Sequence, residues 1–342
     1  MNSSQSIVPP RGLVLVTGVN GFIGSHIANI LLSLGYQVRG TVRSTDKAAW
    51  ITEAMQECNP SGYFEVAIVP DVNAPDPWGK VVQGVDGIVH VATDMSFDAD
   101  PNKVITPMLQ GVRNLLAAAA SEPTVKRFVF TSSDRAISNA INGKEATLDS
   151  SMWNDSAVES AWRPPPYEAD RVWDVYAALK TQSEQEIWAF EKAEKPKFII
   201  NSVLPCFNIG PIIHPKQPGS TGKWVRDFWR DPGHYKDLQQ FGASWYINVE
   251  DTAVLHVAAL TQEDVKGGRL LGFAGPFNFN TWLDTFRQLD PAKAWPADDP
   301  SQQHNLCKVD TGREVELLKR FGRRGWTSFY ESVRKNCLES RE

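Results

Sequence analysis

Residues 13–25 read LVLVTGVNGFIGS and join a short apolar run to three glycines, at positions 18, 21 and 24. The apolar run at residues 13–16 predicts a buried strand. Beyond the last glycine, apolar residues recur at helical spacing until Gly35, which predicts a helix that begins within the glycine segment. The stretch therefore predicts a strand that turns into a helix across a glycine-rich bend.

Each glycine of this bend has a physical task. Gly18 permits the tight turn, Gly21 lets backbone N–H groups approach a pyrophosphate, and Gly24 lets the helix pack closely on the strand. The N-terminus of the helix faces the anion with unpaired N–H groups and the positive end of its dipole. The residues predicted to contact a dinucleotide here are Gly18, Asn20, Gly21, Phe22, Ile23 and Gly24. The alternative is a tight turn that binds no ligand.

Strand and helix patterns alternate after the bend. The patterns predict strands at residues 36–42, 63–69, 86–91, 127–131 and 197–204, long helices at 46–57, 103–120 and 172–195, and a short helical piece at 78–82. Such alternation is typical of right-handed βαβ units. The sequence therefore predicts an α/β fold with a Rossmann-type, doubly wound parallel sheet.

The length of 342 residues exceeds the usual size of one core. We predict a dinucleotide-binding domain over residues 1–205, which also carries the site residues discussed below, and a smaller, mainly substrate-binding lobe over residues 206–342. Segments such as 244–260 are expected to return to the first domain. The polar, Pro-rich connection at residues 134–171 is expected to have its own structure or to line a binding site.

Composition excludes several classes of protein. The hydrophobic content of 42% and charged content of 22% are those of a soluble globule. No apolar run reaches the ~20 residues that cross a bilayer, and a net charge of −5 argues against nucleic-acid binding. Four widely spaced cysteines show no metal or redox spacing. We therefore expect a cytoplasmic protein without a metal site.

The residues after the predicted second and third strands bear on the choice of cofactor. At the end of the second strand, an acidic residue would bind the ribose hydroxyls of NAD, whereas an arginine accommodates the 2′-phosphate of NADP. Arg43 stands there, with Arg39 and Lys47 nearby, which favours NADPH/NADP+. The alternative is a solubilising surface charge. Asp71 and Val72 are expected against the adenine, with a simple turn as the alternative.

A catalytic group is predicted from three residues. Tyr176 and Lys180 lie four apart and therefore share one face of the helix. A neighbouring lysine lowers the pKa of a tyrosine from about 10 toward the working range. Ser133 follows the fifth strand, at the sheet edge where ligands bind, so its hydroxyl is placed to hold a carbonyl oxygen. A Tyr-x-x-x-Lys spacing also arises by chance, but the order of glycine bend, strand-end serine and Tyr/Lys helix favours catalysis.

With these motifs the chain resembles the extended short-chain dehydrogenase/reductases. It is most similar to the branch of dihydroflavonol reductases and fungal NADPH-dependent aldehyde and carbonyl reductases. The segments that carry the resemblance are VTGVNGFIGSH (16–26), VRGTVRS (38–44), HVA (90–92), VKRFVFTSS (125–133), YAALKT (176–181), LP (204–205) and GWTS (325–328).

The resemblance implies a role for each site residue. Ser133 would polarise the substrate carbonyl, Tyr176 would donate the proton, and Lys180 would bind the nicotinamide ribose and lower the pKa of the tyrosine. NADPH would deliver the hydride. Further residues implied at the cofactor are Ala92 and Thr93, near its phosphate and ribose, and Thr131 and Pro205, at the nicotinamide.

The chain departs from the family pattern at two places. Asp134 and Arg135 follow the predicted catalytic serine, where the family carries small or uncharged residues. We expect them to pair with each other, the alternative being recognition of a polar substrate. Residues 173–175 read WDV where cinnamoyl-CoA reductases carry Asn-Trp-Tyr-Cys. This favours an aldehyde or ketone substrate over a CoA thioester.

The sequence thus predicts an NADPH-dependent reductase that converts a small-molecule aldehyde or ketone into an alcohol. One alternative is a sugar-nucleotide epimerase or dehydratase, which the lack of an acidic residue after the second strand disfavours. Another is a non-catalytic dinucleotide sensor, which the presence of Tyr176 disfavours. The substrate, its stereochemistry, the physiological direction and the oligomeric state are left open.

Overall fold

A seven-stranded parallel sheet forms the centre of the protein in the computed structural model, which describes residues 6–139, 141–217 and 219–341. The strands of the described chain are β1 (Leu13–Thr17), β2 (Gln37–Val42), β3 (Phe64–Ile68), β4 (Gly87–His90), β5 (Arg127–Thr131), β6 (Thr147–Leu148), β7 (Ile199–Pro205), β8 (Phe207–Ile209), β9 (Ser244–Asn248), β10 (Arg269–Gly272), β11 (Gly275–Phe277) and β12 (Lys308–Val309). The order in the central sheet is β10-β7-β5-β4-β1-β2-β3. From β1 the strand order runs to β3 on one side and through β4 to β10 on the other, which is the order of a Rossmann-type fold. The predicted fold class is therefore confirmed.

Helices connect these strands. They are α1 (Phe22–Ser33), α2 (Thr45–Cys58), α3 (Pro101–Ser121), α4 (Asp155–Ala161), α5 (Val172–Glu194), α6 (Ser220–Arg230), α7 (Tyr235–Gln239), α8 (Val249–Thr261), α9 (Phe279–Leu289), α10 (Gly312–Arg320) and α11 (Phe329–Glu339). The helical piece predicted at 78–82 is a single turn, in which the N–H groups of Val81 and Val82 both donate to the carbonyl of Trp78. So short a segment has too few hydrogen bonds to offset the cost of helix nucleation.

Both faces of the central sheet are covered, because successive side chains of a strand point to opposite faces. Val14 and Val16 of β1 belong to the apolar core that includes residues of α1 and α8, whereas Leu15 belongs to the core that includes residues of α3. The helices α1 and α8 contact each other, as do α3 and α5. This arrangement leaves the carboxyl ends of the strands free to form a site.

The chain after β7 contributes both to the central sheet and to a separate, smaller sheet. Strand β10 joins the central sheet beside β7, and α8 packs against β5 and β7. Strands β8, β9 and β11 form a separate sheet, with a buried aromatic core that includes Phe207, Phe228 and Trp282. The domain boundary at residue 205 stays a prediction. Residues 1–5, 140, 218 and 342 of the predicted domains lie outside the described residues.

Candidate functional site

A cavity of about 790 Å³ opens at the carboxyl ends of the central strands. We call it the central cavity. Most of the site residues predicted from the sequence line it: Gly18, Asn20, Gly21, Phe22, Ile23, Arg43, Lys47, Val72, Ala92, Thr93, Thr131, Ser133, Tyr176, Lys180 and Pro205. Gly24 and Asp71 are not among its lining residues. The structure therefore brings residues from widely separated parts of the chain to one place.

The glycine bend has the close approaches that its sequence predicts. Gly18 has a positive φ of +63°, and a Cβ atom there would lie 3.0 Å from the Cα of Ala92. At Gly24, a Cβ would lie only 2.5 Å from the carbonyl oxygen of Gly18, so a residue larger than glycine does not fit there. Gly21 precedes α1, and no side chain caps the helix, so the N–H groups of its first turn remain available to an anion.

The positively charged side chains near β2 differ in whether they are already bonded to other residues. Nε of Arg39 forms an ion pair with Oε1 of Glu65 at 2.5 Å, and its Nη1 donates to two backbone carbonyls. Arg43 is exposed and makes no hydrogen bond or ion pair with the described residues, and Lys47 lines the central cavity beside it. The carboxylate of Asp71 is exposed and accepts the N–H of Asn73 at 2.8 Å. Asp71 thus lies in a turn outside the cavity lining.

Three buried polar atoms of residues that line the cavity lack partners within the described chain: Nε1 of Trp78, Nε2 of His90 and the hydroxyl of Thr93. Thr17 Oγ1 accepts the N–H groups of Val91 and Ala92, so its single proton goes to Nδ1 of His90, 2.8 Å away. Burial lowers the pKa of His90 to about 3, so the ring is neutral and its remaining proton lies on Nε2. That Nε2 and the hydroxyl of Thr93 are both unpaired. Unpaired buried polar atoms in a cavity wall fit a polar ligand such as a dinucleotide.

Lys180 is held against the end of β5. Its Nζ donates to the carbonyl oxygen of Thr131 at 3.0 Å, and the side chain is buried. The hydroxyl of Thr131 donates to Nε2 of His256, because Nδ1 of that ring donates to the carbonyl of Thr252. Burial lowers the pKa of Lys180 to about 8, and the carboxylate of Glu184 acts in the opposite direction.

The pKa of Tyr176 is raised, whereas the sequence predicted that it would be lowered. Burial, followed by the charge of Asp134, raises the pKa of Tyr176 to about 12. The groups that lower the pKa are the hydroxyl of Ser133 and the guanidinium of Arg135. Lys180 is not among them; its ammonium donates to the carbonyl oxygen of Thr131. The expected lowering by Lys180 is therefore wrong for this structure.

Asp134 and Arg135 do not form the expected ion pair within the described residues. Instead, the hydroxyl of Ser133 donates to Oδ1 of Asp134 at 2.9 Å, and Ser133 Oγ accepts the N–H of Arg135 at 3.3 Å. Ser133 is the N-cap of the short helical turn Asp134–Ala136, which places its hydroxyl beside the carboxylate. The guanidinium of Arg135 instead lines the cavity, where it is half-buried.

A buried carboxylate anchors α5, the helix that carries Tyr176 and Lys180. Glu184 lies one turn after Lys180 on the same face of α5. It accepts the hydroxyls of Ser132, at 2.6 Å, and of Ser202, at 2.5 Å. These bonds join α5 to the end of β5 and to β7, so they set the position of Tyr176 and Lys180 relative to Ser133.

Aromatic rings form one wall of the cavity beside Tyr176. The ring of Phe97 lies 5.8 Å from that of Tyr176 and 5.2 Å from that of Trp173. Phe241 lies 5.6 Å from Trp173, and Trp224 lies 5.2 Å from Phe241. The sequence did not predict this wall, since its rings come from four separate segments and no local pattern links them. His90 was also missed, although it stands within the HVA segment.

The sequence comparison places the chain in a known family. Residues 14–271 match the NAD dependent epimerase/dehydratase family. The chain belongs to this family. It is therefore an enzyme of the extended short-chain dehydrogenase/reductase class, an oxidoreductase that uses a nicotinamide dinucleotide, as the sequence predicted.

Three known proteins show how far the similarity extends. The chain is 57% identical over 340 residues to the NAD-dependent epimerase/dehydratase terH of Aspergillus terreus, covering 99% of this chain and 100% of that protein. It is 39% identical to aldehyde reductase 2 of Sporidiobolus salmonicolor, covering 96% of each chain. The crystal structure of Gre2 in complex with NADPH from Candida albicans superposes with a TM-score of 0.78 at 25% identity, covering 96% of this chain and 99% of that one.

None of the described helices is long or apolar enough to cross a membrane. The same part of the chain contains no group of three or more His, Cys, Asp or Glu side chains that could hold a metal ion.

Proposed function

We propose that this protein is an NADPH-dependent reductase that converts an aldehyde or ketone into an alcohol. The observation that carries the proposal is that Ser133, Tyr176 and Lys180 line the same cavity as the uncapped N-terminus of α1. The phosphate-binding and proton-donating groups therefore face one ligand. The name of the Sporidiobolus relative, an aldehyde reductase, supports this reaction class.

The chain has suitable partners for each part of the cofactor. The first turn of α1 binds the pyrophosphate, and Arg43 with Lys47 binds the 2′-phosphate. Val72 contacts the adenine, while Ala92, Thr93, Thr131 and Pro205 surround the remainder. Lys180 hydrogen-bonds the nicotinamide ribose from its position at the Thr131 carbonyl. When bound, NADPH supplies the hydride.

Tyr176 donates the proton in this proposal. Its pKa of about 12 keeps the phenol protonated at neutral pH, which favours donation to a carbonyl oxygen over removal of a proton from an alcohol. Ser133 lies beside Tyr176 and orients the carbonyl group. The aromatic wall, which includes Phe97 and Trp173, fits the apolar body of the substrate.

The test is to mix purified protein with NADPH and a panel of aryl ketones, β-keto esters and aldehydes, and to follow the absorbance of the reduced nicotinamide. We expect Tyr176→Phe to lower kcat by about 10²- to 10⁴-fold with NADPH binding retained. The matched control is Tyr63→Phe, since Tyr63 is exposed and lies outside the cavity lining. No consumption with any carbonyl, or full turnover by Tyr176→Phe, would contradict the proposal.

A sugar-nucleotide epimerase or dehydratase is the second candidate, supported by the name of the Aspergillus terreus relative. Arg43, which has no partner among the described residues, lies at the end of β2 and favours NADP over the NAD that such enzymes retain. Mass spectrometry of the nucleotide released on denaturation separates the two, because tightly held NAD would support the second candidate.

The proposed location is the cytoplasm, which the four free cysteines support.

A further inference from the structure

We propose that Arg135 is a specificity-determining residue whose guanidinium binds a carboxylate group of the substrate. The preferred substrate is then an aromatic keto acid rather than a neutral carbonyl compound. This inference rests on the proposed carbonyl reductase function. It adds the charge of the substrate, which the reaction class alone does not give.

Arg135 is the cation of the central cavity that has neither a protein partner nor a proposed place at the cofactor. The lysine and arginine residues that line the cavity are Arg43, Lys47, Arg135, Lys180 and Lys223. Arg43 and Lys47 are assigned to the 2′-phosphate, and the ammonium groups of Lys180 and Lys223 are bonded to other residues. Among the described residues, the backbone N–H and carbonyl of Arg135 have partners, whereas its guanidinium has none.

The neighbouring Asp134 leaves the guanidinium open. Its carboxyl group accepts the hydroxyl of Ser133 at 2.9 Å, and no ion pair joins it to Arg135 within the described residues. Burial raises the pKa of Asp134 and outweighs the opposing effect of the Arg135 charge. A half-buried charge without a partner is costly, so this guanidinium fits a ligand group of the opposite charge.

Arg135 lies close to the groups proposed to act on the carbonyl. It follows Ser133 by two residues, and its backbone N–H donates to Oγ of Ser133 at 3.3 Å. Its positive charge lowers the pKa of Tyr176, against the larger effect of burial. It also lines a small adjoining cavity with Trp245 and Phe273, which belong to the second half of the chain. The guanidinium is therefore placed to bind a substrate group a few bonds from the reacting carbonyl.

A carboxylate is the group that this side chain recognises best. A guanidinium donates two parallel N–H···O bonds to a carboxylate, and these charge-assisted bonds are stronger than neutral ones. A methyl ester keeps the oxygen atoms but not the negative charge. The aromatic wall, which includes Phe97 and Trp173, fits the aryl part of the same molecule. The site therefore distinguishes an aryl keto acid from its ester.

The test compares 3-benzoylpropionate and 4-benzoylbutyrate with their methyl esters. In both compounds methylene groups separate the ketone from the carboxylate, so esterification changes the charge without changing the reactivity of the ketone. Oxidation of NADPH gives kcat/KM for each compound. For the wild-type protein, we expect at least one acid to be preferred over its ester by about tenfold or more.

Replacement of Arg135 should abolish this preference. In Arg135→Met, the acid-to-ester ratio of kcat/KM should fall by about 10- to 100-fold, because the acid loses its charged partner and the ester does not. Arg135→Lys should give an intermediate ratio, since it keeps the charge but not the fork of donors. The affinity for NADPH, measured by fluorescence titration, should stay unchanged in both variants.

The matched control is Arg324→Met, because Arg324 is exposed and lies outside the cavity lining. It removes the same charge from the protein and should keep the wild-type ratio. An unchanged ratio in Arg135→Met, no preference for either acid in the wild type, or a parallel loss of NADPH affinity would overturn the inference while the reductase function stands. If the wild type reduces no carbonyl compound at all, both proposals are wrong.

Discussion

Arg269 donates two hydrogen bonds to the carboxylate of Glu184, from Nε to Oε1 at 2.8 Å and from Nη2 to Oε2 at 3.0 Å. The side chains are 8% and 0% exposed. The guanidinium also stacks on Trp153, with its carbon 3.9 Å from the ring centroid. Since Glu184 follows Tyr176 and Lys180 on one face of α5, this pair ties the proposed catalytic helix to β10, an edge strand of the central sheet.

Loss of one partner of this pair should therefore destabilise the protein. Arg269→Leu leaves the Glu184 carboxylate buried without its cation, which costs about 3–5 kcal/mol in free energy of unfolding. Denaturation in urea measures this change. The control is Arg113→Leu, because Arg113 is 51% exposed in its pair with Glu186 and should lose at most about 1 kcal/mol. Equal losses in the two variants would show that burial does not determine the effect.

Arg43 should set the preference between NADPH and NADH. Its replacement in Arg43→Gln removes charge-assisted hydrogen bonds of about 1.5–3 kcal/mol to the 2′-phosphate. At 1.4 kcal/mol per factor of ten, the ratio of kcat/KM for NADPH over NADH should fall by about 10- to 100-fold. Steady-state kinetics with both cofactors measure it. Arg39→Gln serves as the control, since Arg39 is bound to Glu65, and the ratio should stay unchanged there.

Lys180 should produce an alkaline limb in the pH profile. Its pKa is lowered to about 8, so the ammonium loses its proton, and with it the positive charge, as the pH rises through that value. The ratio kcat/KM for NADPH reports the ionisation of the free enzyme and should fall above about pH 8. Tyr176, with a pKa of about 12, stays protonated throughout this range. In Lys180→Met, activity should be low and this limb absent; a limb that persists near the same pH would contradict the assignment.

Gly24→Ala should separate α1 from the glycine bend. The added Cβ would lie 2.5 Å from the carbonyl oxygen of Gly18, and backbone cannot yield as a side chain does. We expect a loss of about 1–3 kcal/mol in stability, together with weaker NADPH binding. Thermal unfolding and fluorescence titration measure the two effects. Gly312→Ala, where the nearest atom is a side-chain oxygen of Asp310 at 3.3 Å, should preserve both.

Local patterns predicted the elements that position the site. The β5 strand begins and ends at the predicted residues, Arg127 and Thr131, because the apolar run at residues 128–130 is followed directly by polar residues. The α5 helix matches its predicted start at Val172 and ends one residue before its predicted end. The prediction of a helical piece at residues 78–82 was wrong, since a helical pattern over five residues does not guarantee helix formation.

Relationships that depend on side-chain direction, on burial or on contacts between segments were not predictable in this way. The partner of Asp134 proved to be Ser133 rather than Arg135, because the direction of side chains within a helical turn decides which neighbour is reached. The pKa of Tyr176 depends on burial and on Asp134, neither of which the spacing of Tyr176 and Lys180 reveals. The role of His90 required the hydrogen bonds of Thr17, a residue of another strand.

The amino-acid sequence by itself determined six of the seven strands of the central sheet, the glycine bend and the residues proposed to react. These depend on periodicity and on residue type, which act over a few neighbouring positions. Only the tertiary structure decided that Arg269 reaches Glu184 and that aromatic rings from four segments enclose one wall of the cavity. Hydrogen-bond direction, burial and ring packing depend on distances between residues far apart in the chain, and folding alone sets those distances.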